Sequence, residues 1–153
     1  MTRLNKLVQQ TNDNYDNFKL GEVVQSLYDF WKKELAAVYL EAIKPVMKGD
    51  DAKKKEAALN TLYVCLDAGL KMLHPAMPYV TEELFQRLPH DSATVSTSIV
   101  IADFPKASDT PSFEKEKVEQ NMDALNDTIE KFRSQLAALK VPSNAKPTIY
   151  VQV

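Results

Sequence analysis

The sequence predicts a mainly α protein, a bundle of about five helices with a short β element after the last. Three observations carry this. Apolar residues recur at steps of three and four over most of the chain. Only three glycines occur in 153 residues, too few for the turns of a hairpin-rich β protein. Capping residues and prolines stand between the periodic stretches, where helices stop and start.

Leu4, Leu7, Val8, Thr11, Tyr15 and Phe18 place a first helix with one apolar face, and "NFKLG" interrupts it. Val23, Val24, Leu27, Trp31, Leu35, Val38 and Ala42 predict a second, longer helix. Pro45 and Gly49 are expected to end it, the proline by breaking the ladder and the glycine as a left-handed cap. Asp50 and Asp51 are good amino-terminal caps for a third helix. Its stripe is Leu59, Leu62, Leu66, Leu70 and Leu73, flanked by Tyr63 and Cys65. The His74-Pro75 step stops it, because a residue before proline is pushed out of the helical region. Pro78 suits the first turn of a fourth helix, with Val80, Leu84 and Leu88 facing inward. The stretch around His74, Pro75 and Pro78 is thus a tight corner, and His74 a packed or capping residue.

From His90 to Pro111 the pattern is irregular apart from "TSIVIADF", a short β-prone run. Thr110 and Pro111 then restart a helix as cap and first residue. Val118, Met122, Leu125, Ile129, Phe132, Leu136 and Leu139 recur in heptad steps, a seam expected to pack on its own bundle. The ending "KPTIYVQV" alternates like a strand and is read as truncated. The expected organisation is residues 1–111 as the bundle core, 112–141 as a long carboxyl-terminal helix and 142–153 as the strand.

Composition excludes several function classes. The net charge of −2 means that any nucleic-acid contact rests on a local patch and is salt-sensitive. No apolar run is long enough to cross a bilayer, so no membrane partner is expected. The single cysteine, Cys65, rules out an internal disulfide and reads as a buried, inert thiol. No phosphate-cradling glycine loop, zinc-protease motif or paired-cysteine pattern occurs, so no metal and no catalytic residue is assigned. Glu82 and Glu83 point about 100 degrees apart on a helix and cannot form a facing acid/base dyad. A hydrolase centred on His74 and either acid has only proximity in its favour. Tyr28, Phe30 and Trp31 resemble a base-stacking platform, but Trp31 lies on the apolar stripe and core packing is its expected role.

Three ordered blocks carry a family resemblance: "YDFWKKELAAVYLEAIKP" (28–45), "TLYVCLDAGLKMLHPAMPYVTEELFQRLP" (61–89) and "SIVIADFP" (98–105). Together they resemble the helical anticodon-binding domain of the valyl-tRNA synthetases, class I enzymes, in their eukaryotic cytosolic form. The resemblance covers most of the chain. It implies the tRNA-binding, anticodon-arm part of a cytoplasmic enzyme that joins valine to its tRNA using ATP. The family's H-I-G-H and K-M-S-K-S motifs and its editing domain are absent here. The resemblance therefore implies a fragment with no cofactor of its own, whose partners are valine tRNA and the remaining domains of the parent. It also implies RNA contacts directed mostly at phosphates, with Arg3, Lys6, Lys44, Arg133 and Lys140 as the candidates. Lys44 matches the lysine of the family's Y-L-E…K-P block. Trp31, Tyr39, His74, Pro75 and Pro78 are assigned to core and corner. Ala76 departs from the family's usual phenylalanine and predicts a void unless a neighbour fills it. The alternative function is a protein-interaction module that self-associates through the Val118–Leu139 seam.

Overall fold

The computed structural model describes residues 1–89, 98–107 and 115–142, with side chains of the last segment from Glu119 onward. The chain divides into two compact units, Met1–Ser112 and Phe113–Val153. In the first, α1 (Thr2–Asp16) is followed by α2 (Leu20–Asp29), a π-helical segment (Phe30–Tyr39) and α3 (Leu40–Lys48). Helical backbone angles at both junctions make these last three one continuous helix. Then come α4 (Ala52–Leu73), α5 (Pro78–Gln86) and a 3-10 turn, Ile99–Ile101. The second unit holds α6 (Lys115–Ala138). Counting the continuous run once, the described residues form five helices, as expected for a mainly α bundle. The β element does not appear among them: "SIVIADF" is a 3-10 turn with extended flanks. "KPTIYVQV", His90, Thr110 and Pro111 lie outside the described residues.

The first break is a Schellman motif. Lys19 N–H donates to the Asn14 carbonyl at 2.8 Å and Phe18 N–H to that of Tyr15 at 3.1 Å. The left-handed position falls on Phe18, with φ 57, although glycine is the residue that adopts it without steric cost. Its side chain is 88 % exposed, so it does not join the α1 face as its spacing suggested. Phe18→Gly should raise stability by about 1 kcal/mol, read as a higher midpoint in urea denaturation followed by circular dichroism.

The second helix departs from the expectation in two ways. Leu40 N–H bonds to the Leu35 carbonyl, five residues back, and the widened turn stacks Phe30 over Leu35. Phe30 is therefore buried and Trp31 only half-buried, the reverse of the order that a regular 3.6-residue period implies. Pro45 does not end the helix but sits inside α3. It is exposed, so water can reach the Glu41 carbonyl that lacks an N–H partner. Gly49 caps α3 with extended, not left-handed, backbone at φ −71 and ψ 179.

α4 begins as expected: Asp51 accepts from the Lys54 N–H at 3.2 Å. Its second oxygen pairs with Lys54 Nζ at 3.3 Å, which offsets the lysine run at the positive helix end. The buried face is Cys65, Ala68, Gly69, Leu70 and Met72, while Leu59 at the start of the predicted stripe is exposed. Burial pushes the Cys65 thiol above its ordinary pKa, as suits an inert packed cysteine.

Two clusters form the core. The larger joins Leu4, Leu7, Val8, Val23, Leu27, Phe30, Leu35, Cys65, Ala68 and Met72. The smaller joins Leu70, Phe85 and Ile99, and Trp31 packs against both. Of the residues expected inward, Leu88 packs against the smaller cluster, but Val80 and Leu84 are exposed and α5 buries Thr81 and Phe85 in their place. Ala76 is also exposed, so the void predicted there does not arise. The segment 98–107 is stitched back over the bundle. Asn12 Nδ2 donates to the Pro105 carbonyl at 3.1 Å, and Phe104 meets Tyr15 edge-on at 5.9 Å. Tyr15 in turn donates its hydroxyl to the Met72 carbonyl at 3.0 Å.

Candidate nucleic-acid interface

Arg3 and Lys6 stand one turn apart on α1, where every third or fourth residue shares a face. Arg3 is only partly exposed and forms an ion pair and hydrogen bond with Glu34 of the π-helical segment. The pair ties α1 to the second helix, so any phosphate contact by Arg3 must compete with Glu34. Lys6 is exposed. Lys44 is exposed on α3 and pairs with Glu41 at 2.5 Å. It lies on the order of 15 Å along the same continuous helix from Glu34. Arg3 and Lys6 are thus grouped, and Lys44 marks a separate point further along the helix. Arg133 is exposed on α6, and Lys140 just beyond it holds a left-handed φ of 51. These two belong to the second unit.

The remaining cations of the bundle are mostly paired along their own helices. Lys33 meets Asp29 at 2.9 Å, Lys71 meets Asp67 at 2.8 Å and Arg87 meets Glu83 at 2.5 Å. Lys32 donates to the Tyr28 hydroxyl at 2.6 Å and lies 5.1 Å over that ring. The exposed pairs, Lys33–Asp29 and Arg87–Glu83, contribute little to stability, and all of these pairs lower the local positive potential. Of the three aromatics that resemble a stacking platform, only Tyr28 is exposed; Phe30 and Trp31 pack inward.

The corner residues are tied into the fold. Pro78 occupies the first turn of α5, where its missing N–H leaves no bond unmade. His74 N–H closes the last turn of α4 on the Leu70 carbonyl at 2.9 Å. Its Nδ1 lies 2.7 Å from the fully buried Thr81 Oγ1, which itself donates to the Met77 carbonyl at 2.8 Å. The hydrogen bonds bridge α4 and α5 across exposed Pro75. Tyr39 is half-buried, donates to the Ala58 carbonyl at 2.9 Å and has its phenol pKa raised by burial.

Glu82 has a role that its sequence context hides. One oxygen accepts from Gln86 at 2.7 Å, and the other from Ser98 Oγ at 2.7 Å and Ile99 N–H at 3.2 Å. The carboxylate thereby holds the 3-10 turn against α5. Sixteen residues separate Glu82 from Ser98, so no local spacing announces the pair. The Gln86 hydrogen bond, then that of Ser98, lowers the Glu82 pKa below its ordinary 4.5. A lowered native pKa gives stability that is present above the unfolded value and lost as pH falls through the native one. Protection of the Ile99 amide from hydrogen exchange, compared at matched intrinsic rates, should therefore decline below about pH 4.5. Glu82→Gln should remove that pH dependence.

Among the described residues, no group of three or more His, Cys, Asp and Glu side chains is placed to hold a metal.

Residues 1–151 match the family model described as the anticodon-binding domain of tRNA ligase. The valine–tRNA ligase of Clostridium perfringens is 35 % identical over 149 residues, which is 97 % of this chain and 16 % of that protein. That of Caenorhabditis elegans is 35 % identical over 136 residues, 88 % of this chain and 13 % of that protein. The human enzyme is 43 % identical over 108 residues, 71 % of this chain and 8 % of that protein. The chain therefore spans less than one fifth of the length of these relatives. With its five described helices and a match over nearly its full length, the chain belongs to the anticodon-binding domain family of tRNA ligases.

Proposed function

We propose that this chain is the anticodon-arm-binding part of a valine–tRNA ligase. It holds valine tRNA at a set distance from the rest of a cytoplasmic enzyme that uses ATP to attach valine. The family match over residues 1–151, with valine–tRNA ligases as its relatives, carries this reading. It favours tRNA binding over self-association through the Val118–Leu139 seam. Residues 1–111 act as the docking frame and 112–141 as an arm for the outer part of the tRNA.

Arg3, Lys6 and Lys44 contact phosphates of the anticodon arm, and Arg133 with Lys140 contact phosphates further out. The bases are read mainly by other parts of the enzyme. Fluorescence anisotropy against valine tRNA and one non-cognate tRNA tests this. Binding should be weak, similar for both RNAs, and should fall roughly 100- to 500-fold between 50 and 200 mM salt for these five phosphate contacts. Lys44→Gln should reduce the salt slope by about one. Absence of binding at low salt would overturn the reading, and nanomolar discrimination between the RNAs would overturn the division of labour.

A further inference from the structure

The lysines at the turn between α3 and α4 differ from the other cations of the bundle. α3 ends at Lys48 and α4 begins at Ala52, so Lys48, Lys53 and Lys55 gather at one end of the helix pair. Lys48 and Lys53 are exposed and Lys55 is half-exposed. Among the described residues, none of the three side chains has a hydrogen bond or ion pair, whereas every other lysine and arginine described in Met1–Ser112 has a partner. Asp51 of the same turn is taken up by the α4 cap and by Lys54. We infer that Lys48, Lys53 and Lys55 form a further phosphate-binding surface, which takes the sugar–phosphate backbone of RNA and continues along α3 to Lys44. The inference rests on the reading of this chain as a tRNA-binding domain.

Charge, placement and composition select that partner. From Lys44 to Glu56 five lysines stand against three acids, Asp50, Asp51 and Glu56, in a chain whose net charge is −2. The excess is therefore local, as binding of a polyanion by an acidic protein requires. Lysines in the first turn of α4 oppose its positive end, and the first turn itself holds no acid. A local preference broken without a compensating contact is characteristic of a functional surface. Lys44 and Lys48 stand one turn apart on α3 and share a face, which joins the turn to a phosphate candidate already named. Composition then separates RNA from a protein partner. Between Lys48 and Glu56 the largest apolar side chain is that of Ala52. A protein segment needs an apolar centre to bury, with charges kept to the rim. Phosphates need only exposed cations, and a lysine ammonium serves as a point charge for them.

Lysine acetylation read by mass spectrometry, together with anisotropy titrations, tests the surface on the chain with and without valine tRNA. Lys48, Lys53 and Lys55 should react readily in the free chain and about fivefold or more slowly once tRNA is bound, while Lys19 and Lys33 keep their rates. The three contacts add to the five of the functional reading, so they steepen the salt slope by about two to three. The triple variant Lys48→Gln/Lys53→Gln/Lys55→Gln should lose that increment and bind roughly tenfold or more weakly at low salt. Lys19→Gln/Lys33→Gln/Arg87→Gln removes the same net charge from paired cations and should change the slope by less than about one. Equal losses in the two triple variants would reduce the effect to net charge and overturn the inference. Slow acetylation before tRNA is added would overturn it too, since a protein segment would then cover the lysines. Binding with no protection of the three lysines and an unchanged slope in their variant would overturn the inference and leave the functional reading standing. Failure of the functional reading shows separately, as absence of tRNA binding by the unaltered chain.

Discussion

Phe85→Ala should lower the unfolding free energy of the helical bundle by about 3–5 kcal/mol. Phe85 has no exposed surface and centres the smaller cluster with Leu70 and Ile99, against Trp31, Leu88 and Ala102. Lys71, itself paired to Asp67, lies with its ammonium 5.9 Å over the ring. Truncation removes the ring's transfer energy and leaves a cavity, because Trp31 and Ile99 are held by other contacts and cannot close on it. It also frees the face on which the 3-10 turn rests, with Glu82 as the remaining tie. Leu84→Ala, on the exposed flank of the same helix, should cost less than about 1 kcal/mol. Urea denaturation of both variants separates the two faces of α5. A larger loss for Leu84→Ala would mean that the inward face is the one that hydropathy alone suggests.

The second large effect is at Gly69. Glycine in a helix interior costs about 1 kcal/mol relative to alanine, so propensity predicts that Gly69→Ala stabilises α4. Packing predicts the opposite. A Cβ built on Gly69 lies 2.8 Å from Trp31 Cζ2, 3.3 Å from its Cε2 and 3.4 Å from Phe30 Cε1. The indole is a rigid plate wedged between the two clusters and cannot bend aside as a long aliphatic chain would. Gly69→Ala should therefore be destabilising, and Gly69→Val should cost about 2–3 kcal/mol. In a Trp31→Leu background, Gly69→Ala should change sign and stabilise, since the clash is gone and propensity remains. The four midpoints of this cycle, measured in urea, decide whether Trp31 sets the identity of residue 69. The contact also explains Trp31 itself, whose aromatic surface is used to join α4 to the second helix.

Helix positions, most of their ends and the family were legible in the chain. Asp51 caps α4 and Pro78 opens α5, because these are local matters of backbone donors and fixed φ. The corner falls where expected, but His74 keeps helical angles, φ −54 and ψ −42, so Pro75 does not push it out of the helical region and ends α4 by its missing N–H instead. The basic candidates Arg3, Lys6 and Lys44 could be named from the resemblance, but nothing in their neighbours along the chain announces Glu34 as the partner of Arg3. The Glu82 tie to Ser98 was illegible for the same reason: both partners are common polar residues brought together by the fold.

Local chemistry alone determined that this protein is a helical bundle broken near residues 17–19, 49–51 and 74–77, with α5 starting at Pro78. Tertiary structure decided which face of each helix is inward and how regular each helix is. α2 and α5 have wider apolar arcs than the bundle can cover, so periodicity permits more than one inward face. Thr81 goes inside because its hydroxyl finds Met77 and His74 there, and Phe85 follows one turn later. Phe30 and Leu35 go inside together because a π-helical turn stacks residues five apart, a spacing that no 3.6-residue pattern reveals. Trp31 fits because a distant residue is glycine. The first two choices turn on local polar partners and turn geometry and the third on the shape of a neighbour remote in sequence, none of which hydropathy along the chain encodes.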